Sequence, residues 1–161
     1  MTLSIKVVIL SGVPGAGKST WIKENQAGIS QVFSADDYFM VDGEYKYNFQ
    51  NIQEAHSDCI RRFINALQTA AIGNVEAVMV VDNTNTTSEE IAPYYAIAKA
   101  YNAEVALVTF MGGDSAEMAS RNVHGVPEAT IEKMQFRLKN RVLPGHWQME
   151  CVYILCITVY I

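Results

Sequence analysis

Nine consecutive residues, Gly12-Val13-Pro14-Gly15-Ala16-Gly17-Lys18-Ser19-Thr20, satisfy the spacing G-x-x-x-x-G-K-[ST]. Each residue type there suits a polyphosphate. Glycines lack a β-carbon, so the backbone can take positive φ and turn its N–H groups inward as an anion-binding concavity. Lys18 supplies a mobile positive charge for β and γ phosphates, and the Ser19 hydroxyl suits Mg²⁺. A helix opening near Lys18 would aim its unpaired N–H groups and positive dipole end at the same point. The stretch Gly12 to Thr20 is therefore expected to hold ATP with Mg²⁺. A glycine-rich turn with a surface lysine would look alike in isolation, but here an apolar run precedes the motif and a helix-compatible run follows it.

Two acids extend the chemistry. Asp82 closes the apolar run Ala77 to Val81 and is expected to support Mg²⁺, directly or through water, and to orient Ser19. Its alternative is a strand-end acid capping the next turn. Asp36 follows the run Gln31 to Ser34 and is the candidate general base, since a carboxylate within hydrogen-bond reach of an acceptor hydroxyl takes its proton as the new bond forms. Asp37 is adjacent, so one of the two should face the cleft while the other caps the following turn; both could instead be turn residues. The cationic candidate is Arg121. It belongs to a segment in which Arg121, Lys133, Arg137, Lys139 and Arg141 stand against Glu128 and Glu132, a local excess of +3. A guanidinium there could close over transferring phosphates. Arg137 and Arg141 are equally readable as solvated surface.

The elements that must position these residues alternate. Near-continuous apolar runs at Ile5 to Leu10, Gln31 to Ser34, Ala77 to Val81 and Glu104 to Phe110 read as strands covered on both faces. Between them lie helical patterns: Lys18 to Gln26; Asn51 to Ile72, with Cys59, Phe63 and Leu67 on its stripe and Gly73 as terminator; a helix opened by Thr87 and Glu90 at capping-box spacing; Ser115 to Asn122; and a last one after Pro127. Pro93 either kinks the third of these or sets a short turn before it. His56 is expected to be packed or hydrogen-bonded. Asp42-Gly43 marks a turn ahead of Tyr45-Lys46-Tyr47, and Cys151 to Ile161 could add a fifth strand. Such alternation predicts an α/β domain with right-handed crossovers and a site at the carboxyl ends of the strands.

Composition agrees with this. The 161 residues are most simply one domain, 50% hydrophobic and 18% charged, and a net charge of −5 argues against coating long nucleic acid through a broad basic face. Met1 to Ser4 carries no basic-then-apolar leader pattern, and no run approaches membrane-span length. Cys59, Cys151 and Cys156 form no C-x-x-C pair and are expected to be buried free thiols, so the expected setting is cytoplasmic.

Taken together, Gly12 to Trp21, Asp36-Asp37-Tyr38, Asp82-Asn83-Thr84-Asn85, and Arg121-Asn122 followed by Val126-Pro127 resemble the kinase domain of bacteriophage-type polynucleotide 5′-hydroxyl kinases and their P-loop kinase relatives. The matched segments spread over residues 5 to 147, and the sequence from 148 onward has no counterpart. The resemblance implies a three-layer P-loop NTPase fold in one domain, with a parallel sheet of four or five strands, helices on both faces and a helical lid over residues 112 to 128. It implies Lys18 and Ser19 on the ATP phosphates and Mg²⁺, Asp36 as base, Asp82 supporting Lys18 and Ser19, and Arg121 as the lid arginine. Where the family has an arginine for the acceptor's 3′ phosphate, this chain has Phe39, an apolar ring suited to stacking. Asp37, Phe39, Tyr45 and Asn83 are thus the expected substrate-side residues. The expected activity is ATP-dependent transfer to a hydroxyl, foremost a polynucleotide 5′ end. Alternatives are a small-molecule kinase of the antibiotic or nucleotide-sugar type, or an ATPase module with no acceptor.

Overall fold

The computed structural model describes residues 4–155. Five strands form one parallel sheet: β1 (Ile5–Ser11), β2 (Gln31–Phe33), β5 (Ala77–Asp82), β6 (Glu104–Met111) and β7 (Glu150–Leu155), in the order β2-β5-β1-β6-β7. The remaining strands, β3 (Met40–Val41) and β4 (Glu44–Tyr45), make a separate antiparallel hairpin. Its two-residue loop has positive φ at both Asp42 (52°) and Gly43 (81°), the geometry that Asp-Gly favours and that matches strand twist.

Helices α1 (Lys18–Glu24), α2 (Ile52–Gly73), α3 (Ser88–Ala100), α4 (Ser115–Arg121) and α5 (Glu128–Lys139) cover the sheet. Side chains alternate across each strand, so the central strands feed two cores. Val7 and Ile9 pack with Phe63 and Leu67 of α2 and Ile91 and Tyr94 of α3. Val8 and Leu10 pack with Met118 of α4 and Ile131 of α5. Each such side chain taken fully out of water contributes about 1.5–3 kcal/mol, which is why central strands must be apolar on both faces.

Helix ends follow local chemistry. The Thr87 hydroxyl accepts from the Glu90 N–H at 3.3 Å, and the Glu90 carboxylate accepts from the Thr86 and Thr87 N–H groups. Pro93 then lies inside a continuous α3 rather than behind a preliminary turn. Its missing N–H and ring clash cost a helix about 3 kcal/mol, but Ile91, Tyr94 and Ala98 are all buried along one face and hold the helix on the sheet. Helix α2 runs through Gly73, and the left-handed cap is taken by Asn74 (φ 48°).

Two other expectations are corrected here. His56 is exposed, because its place on α2 lies off the Ala55, Cys59, Phe63 and Leu67 stripe. Cys59 is buried, but Cys151 is exposed, because β7 is an edge strand with little packed over it. The fifth strand expected of the tail is Glu150–Leu155, parallel to β6, while 156–161 lie outside the described residues. Among the described residues no helix is long and apolar enough to cross a membrane.

Candidate active site

The carboxyl ends of β1, β2 and β5 and the loop after α4 enclose a cleft of about 490 Å³. Pro14, Gly15, Gly17, Lys18, Ser19, Thr20, Asp36, Asp82, Asn83 and Arg121 line it, together with Thr84, Asn122, Val123 and His124. Candidates taken from four separate stretches of sequence therefore meet in one cavity.

On the phosphate side the backbone does the shaping. A β-carbon on Gly12 would come within 2.9 Å of the Phe110 Cβ, so only glycine lets β1 enter the loop beside β6. At Gly15 φ is +81°, and a β-carbon would lie 2.3 Å from the Met118 carbonyl oxygen of α4. The loop and the lid helix are thus packed backbone to backbone. The Gly12 N–H donates to the Thr84 carbonyl at 2.8 Å, tying the loop's first residue to the segment after β5. Val13 and Ala16 are buried.

Lys18 folds back over this loop, its Nζ donating to the Gly12 carbonyl at 2.8 Å and to the Val13 carbonyl at 3.2 Å. Burial pushes its pKa down, opposed by the nearby charges of Asp82 and Asp36. The Asp82 carboxyl is raised by burial and opposed chiefly by Lys18. Each charge is thus partly stripped of water, leaving both groups strongly responsive to a charged ligand. Ser19 and Asp82 are hard oxygen donors of the kind Mg²⁺ takes. Among the described residues no group of three or more His, Cys, Asp or Glu could hold a metal. A hydroxyl and one carboxylate completed by phosphates and water is the usual donor set for Mg²⁺ arriving with a nucleotide, so the residues present fit that ion.

On the opposite wall side chains do the shaping. A short 3-10 turn, Ala35–Phe39, carries Asp36 and Asp37. Asp36 faces the cleft; its Oδ1 accepts from the Tyr45 hydroxyl at 2.9 Å, and its Oδ2 lies 3.6 Å from His124 Nε2. Asp37 turns away. Its Oδ2 accepts from the Ser34 N–H at 3.3 Å and from Arg62 at 3.0 Å, completing a capping box, so this candidate substrate residue anchors the turn. Arg62 also donates to the Ser34 carbonyl at 2.8 Å and to Asp58 at 2.8 Å, fastening the turn to α2. Asn83 lines the cleft but spends its amide on architecture, accepting from the Ala35 N–H at 2.9 Å and donating to the Tyr94 hydroxyl at 3.1 Å.

Phe39 corrects the sequence reading most clearly. It is 2% exposed, packed edge-on against Tyr38 and Tyr45, and so offers no ring face to a substrate. Tyr45 is half-buried, with its hydroxyl committed to Asp36 and its ring 6.4 Å from that of Tyr47, which is exposed. Arg121 lines the cleft from the end of α4, paired with Glu117 one turn back. Arg137 is solvated, but Arg141 is a strut. Its guanidinium donates to the Ser11 and Thr109 hydroxyls and the Asn85 carbonyl at 2.5–2.9 Å, locking the ends of β1 and β6 to the segment after β5.

Sequence reasoning missed Arg62, Tyr94 and Val123; Asn122 belongs to the motif shared with the polynucleotide kinases, and with Val123 and His124 it forms a wall of the cleft. Asn-x-x-Gly at Asn122–Gly125 signals a turn: the Asn122 Oδ1 accepts from the His124 and Val126 N–H groups, and Gly125 takes φ 67°. Nothing local says that this turn faces Asp36.

A family model described as an AAA domain matches residues 7–140. Human NEDD4-binding protein 2 is 30% identical over 139 residues, a match that covers 82% of this chain and 8% of that protein. Among solved structures, a chain of the Pnkp1/Rnl/Hen1 RNA repair complex superposes with a TM-score of 0.66 at 18% identity, covering 86% of this chain and 45% of that one. Kti12 of Chaetomium thermophilum, solved with ADP-AlF3, superposes with a TM-score of 0.57 at 12% identity, covering 93% and 89%. The five-stranded parallel sheet with helices on both faces is the fold of P-loop kinases. The chain spans less than half the length of NEDD4-binding protein 2 and of the repair-complex chain.

Proposed function

The chain belongs to the AAA domain family whose model matches residues 7–140, and from that premise we propose that it is an ATP-dependent phosphotransferase acting on the 5′-hydroxyl of a polynucleotide. The observation that carries this reading is the position of Asp36. It stands on the wall of the phosphate cleft opposite the glycine loop, in the same cavity as Lys18 and Asp82. A plain nucleotide hydrolase needs only a water there, whereas a carboxylate held by side chains on a separate element suits the deprotonation of an incoming alcohol.

In this reading the acceptor oxygen attacks the γ-phosphorus, the bond from that phosphorus to the β,γ-bridging oxygen breaks, and the acceptor proton passes to Asp36. Lys18 and Arg121 offset the charge spread over the phosphoryl oxygens. Ser19 and Asp82 would hold Mg²⁺, which neutralises charge on the β and γ phosphates. The nucleic-acid acceptor is supported by the aromatic pair next to Asp36: Tyr45 donates to Asp36, and Tyr47 stacks at 18° on Tyr45 and keeps 53% of its surface open. Rings of this kind stack on unpaired bases at about 1–3 kcal/mol per base.

Labelled ATP is incubated with a 5′-hydroxyl oligonucleotide and, separately, with a panel of small hydroxylated compounds. Label on the oligonucleotide, lost in Asp36→Asn, is the expected result. Label only on a small compound would keep the phosphotransferase and move it to the small-molecule class. If Asp36→Asn leaves all phosphate turnover unchanged while Lys18→Ala abolishes it, the protein is an ATPase module and the proposal fails.

A further inference from the structure

The loop after α4 reaches across the cleft to the wall opposite the glycine loop, where His124 meets it. Asn122 folds the loop by donating to the Ala119 and Val126 carbonyls and accepting from the His124 and Val126 N–H groups. Val123, at the mouth of the cleft, is 87% exposed, so it does not anchor the loop. His124 turns the other way. Its imidazole packs on the Tyr45 ring, centroids 4.6 Å apart, and its Nε2 lies 3.6 Å from Asp36 Oδ2. The other Asp36 oxygen accepts from Tyr45. The carboxylate is therefore held at one oxygen by the hairpin and faced at the other by the loop. Besides Asp36 and Tyr45, the charged groups near His124 are Asp82, Lys18 and Arg121, all lining the same cleft.

We infer that His124 is a positioning residue for Asp36, and that this contact assembles the phosphate-covering loop and the acceptor-side acid as one unit. The inference rests on Asp36 being the base. A carboxylate turns easily about its last side-chain torsion, and a lone pair aimed at the acceptor must be fixed from outside. Tyr45 alone fixes one oxygen; His124 fixes the plane. At 3.6 Å the two atoms lie beyond hydrogen-bond length, and the positioning role requires that distance to shorten to a hydrogen bond in the working complex.

Transfer kinetics and nucleotide affinity of His124→Ala, His124→Gln, Asp36→Asn and the His124→Ala/Asp36→Asn double variant test this. His124→Ala is expected to lower kcat about ten- to a hundredfold through misplacement of the base, with ATP affinity held within about twofold. His124→Gln, which keeps an N–H donor, is expected to recover most of that loss. On the Asp36→Asn background removing His124 is expected to change the residual rate less than about twofold. A full additive loss there, or a loss of ATP affinity in His124→Ala, would overturn the inference by placing His124 on the phosphates. If the wild-type protein transfers phosphate to no hydroxyl, the base reading itself fails. The contact is then judged by amide hydrogen exchange over residues 122–126 in the nucleotide-free protein: exchange several-fold faster in Asp36→Ala sustains the tether. Unchanged exchange refutes it.

Discussion

The two walls of the cleft are built differently. The phosphate wall is backbone: its shape comes from Gly12 and Gly15, where β-carbons would strike Phe110 and Met118, and from N–H groups set by the chain path. The opposite wall, where the proposed acceptor would sit, is side chain: Asp36 is placed by Tyr45 and faced by His124, while its turn is pinned by Arg62 and by the Asn83 amide. A wall made of backbone is insensitive to most substitutions but fails abruptly where a β-carbon appears. One made of side-chain hydrogen bonds degrades in steps.

Breaking each wall separately should expose this difference. The largest effect is expected from Asp36→Asn, which should lower phosphotransfer by about 10²–10⁴-fold while leaving nucleotide binding intact, as single-turnover rates and calorimetric ATP titration would reveal. Next comes Phe39→Ala, which removes a buried ring beneath the acceptor wall and should cost about 3–5 kcal/mol in urea unfolding. Gly15→Ala should cost about 1–3 kcal/mol, since a left-handed residue gains a β-carbon facing the Met118 carbonyl; unlike Phe39→Ala, it should abolish ATP binding in the fraction that stays folded. Arg62→Ala, losing partly exposed ion pairs, should change stability by about 1 kcal/mol or less but slow transfer without weakening ATP affinity.

The smallest effect concerns pH. Burial holds the Asp82 carboxyl above its ordinary value of 3.8, so the folded protein binds that proton more tightly than the unfolded chain does. Stability from this group is therefore present below the ordinary value and lost as pH rises through the folded one. Asp82→Asn should raise the melting temperature of the nucleotide-free protein at neutral pH, with the gain shrinking towards about pH 4, while Mg²⁺-dependent nucleotide binding falls.

What could be read from sequence follows the same division. The glycine loop, the strand before it and the alternation of apolar runs with amphipathic helices were legible because they depend on local spacing, and the parallel five-stranded sheet agrees with them. Asp36 and Asp82 could be named because acids at strand ends fall at one edge of such a sheet. Phe39 could not be placed: Tyr45 and Tyr47 come over its ring only when the hairpin closes. Arg141 stayed open between a phosphate-side cation and solvated surface because its partners lie 32, 56 and 130 residues away. Pro93 left open whether one helix or a turn and a helix follow Thr87, and burial of Ile91 and Tyr94 on either side decides for one helix.

The strand order has a consequence for synthesis. β1 emerges first yet lies at the middle of the sheet, with Ile5 opposite Ala77 and Lys6 opposite Glu104. The segment leading into the nucleotide cradle can therefore pair on one side only once β5 has been made, and on the other only when β6 follows, so one edge of a run of valine, isoleucine and leucine stays open for longest. In a nascent chain this is a stretch in need of a chaperone, and its second edge is covered only when β6 arrives.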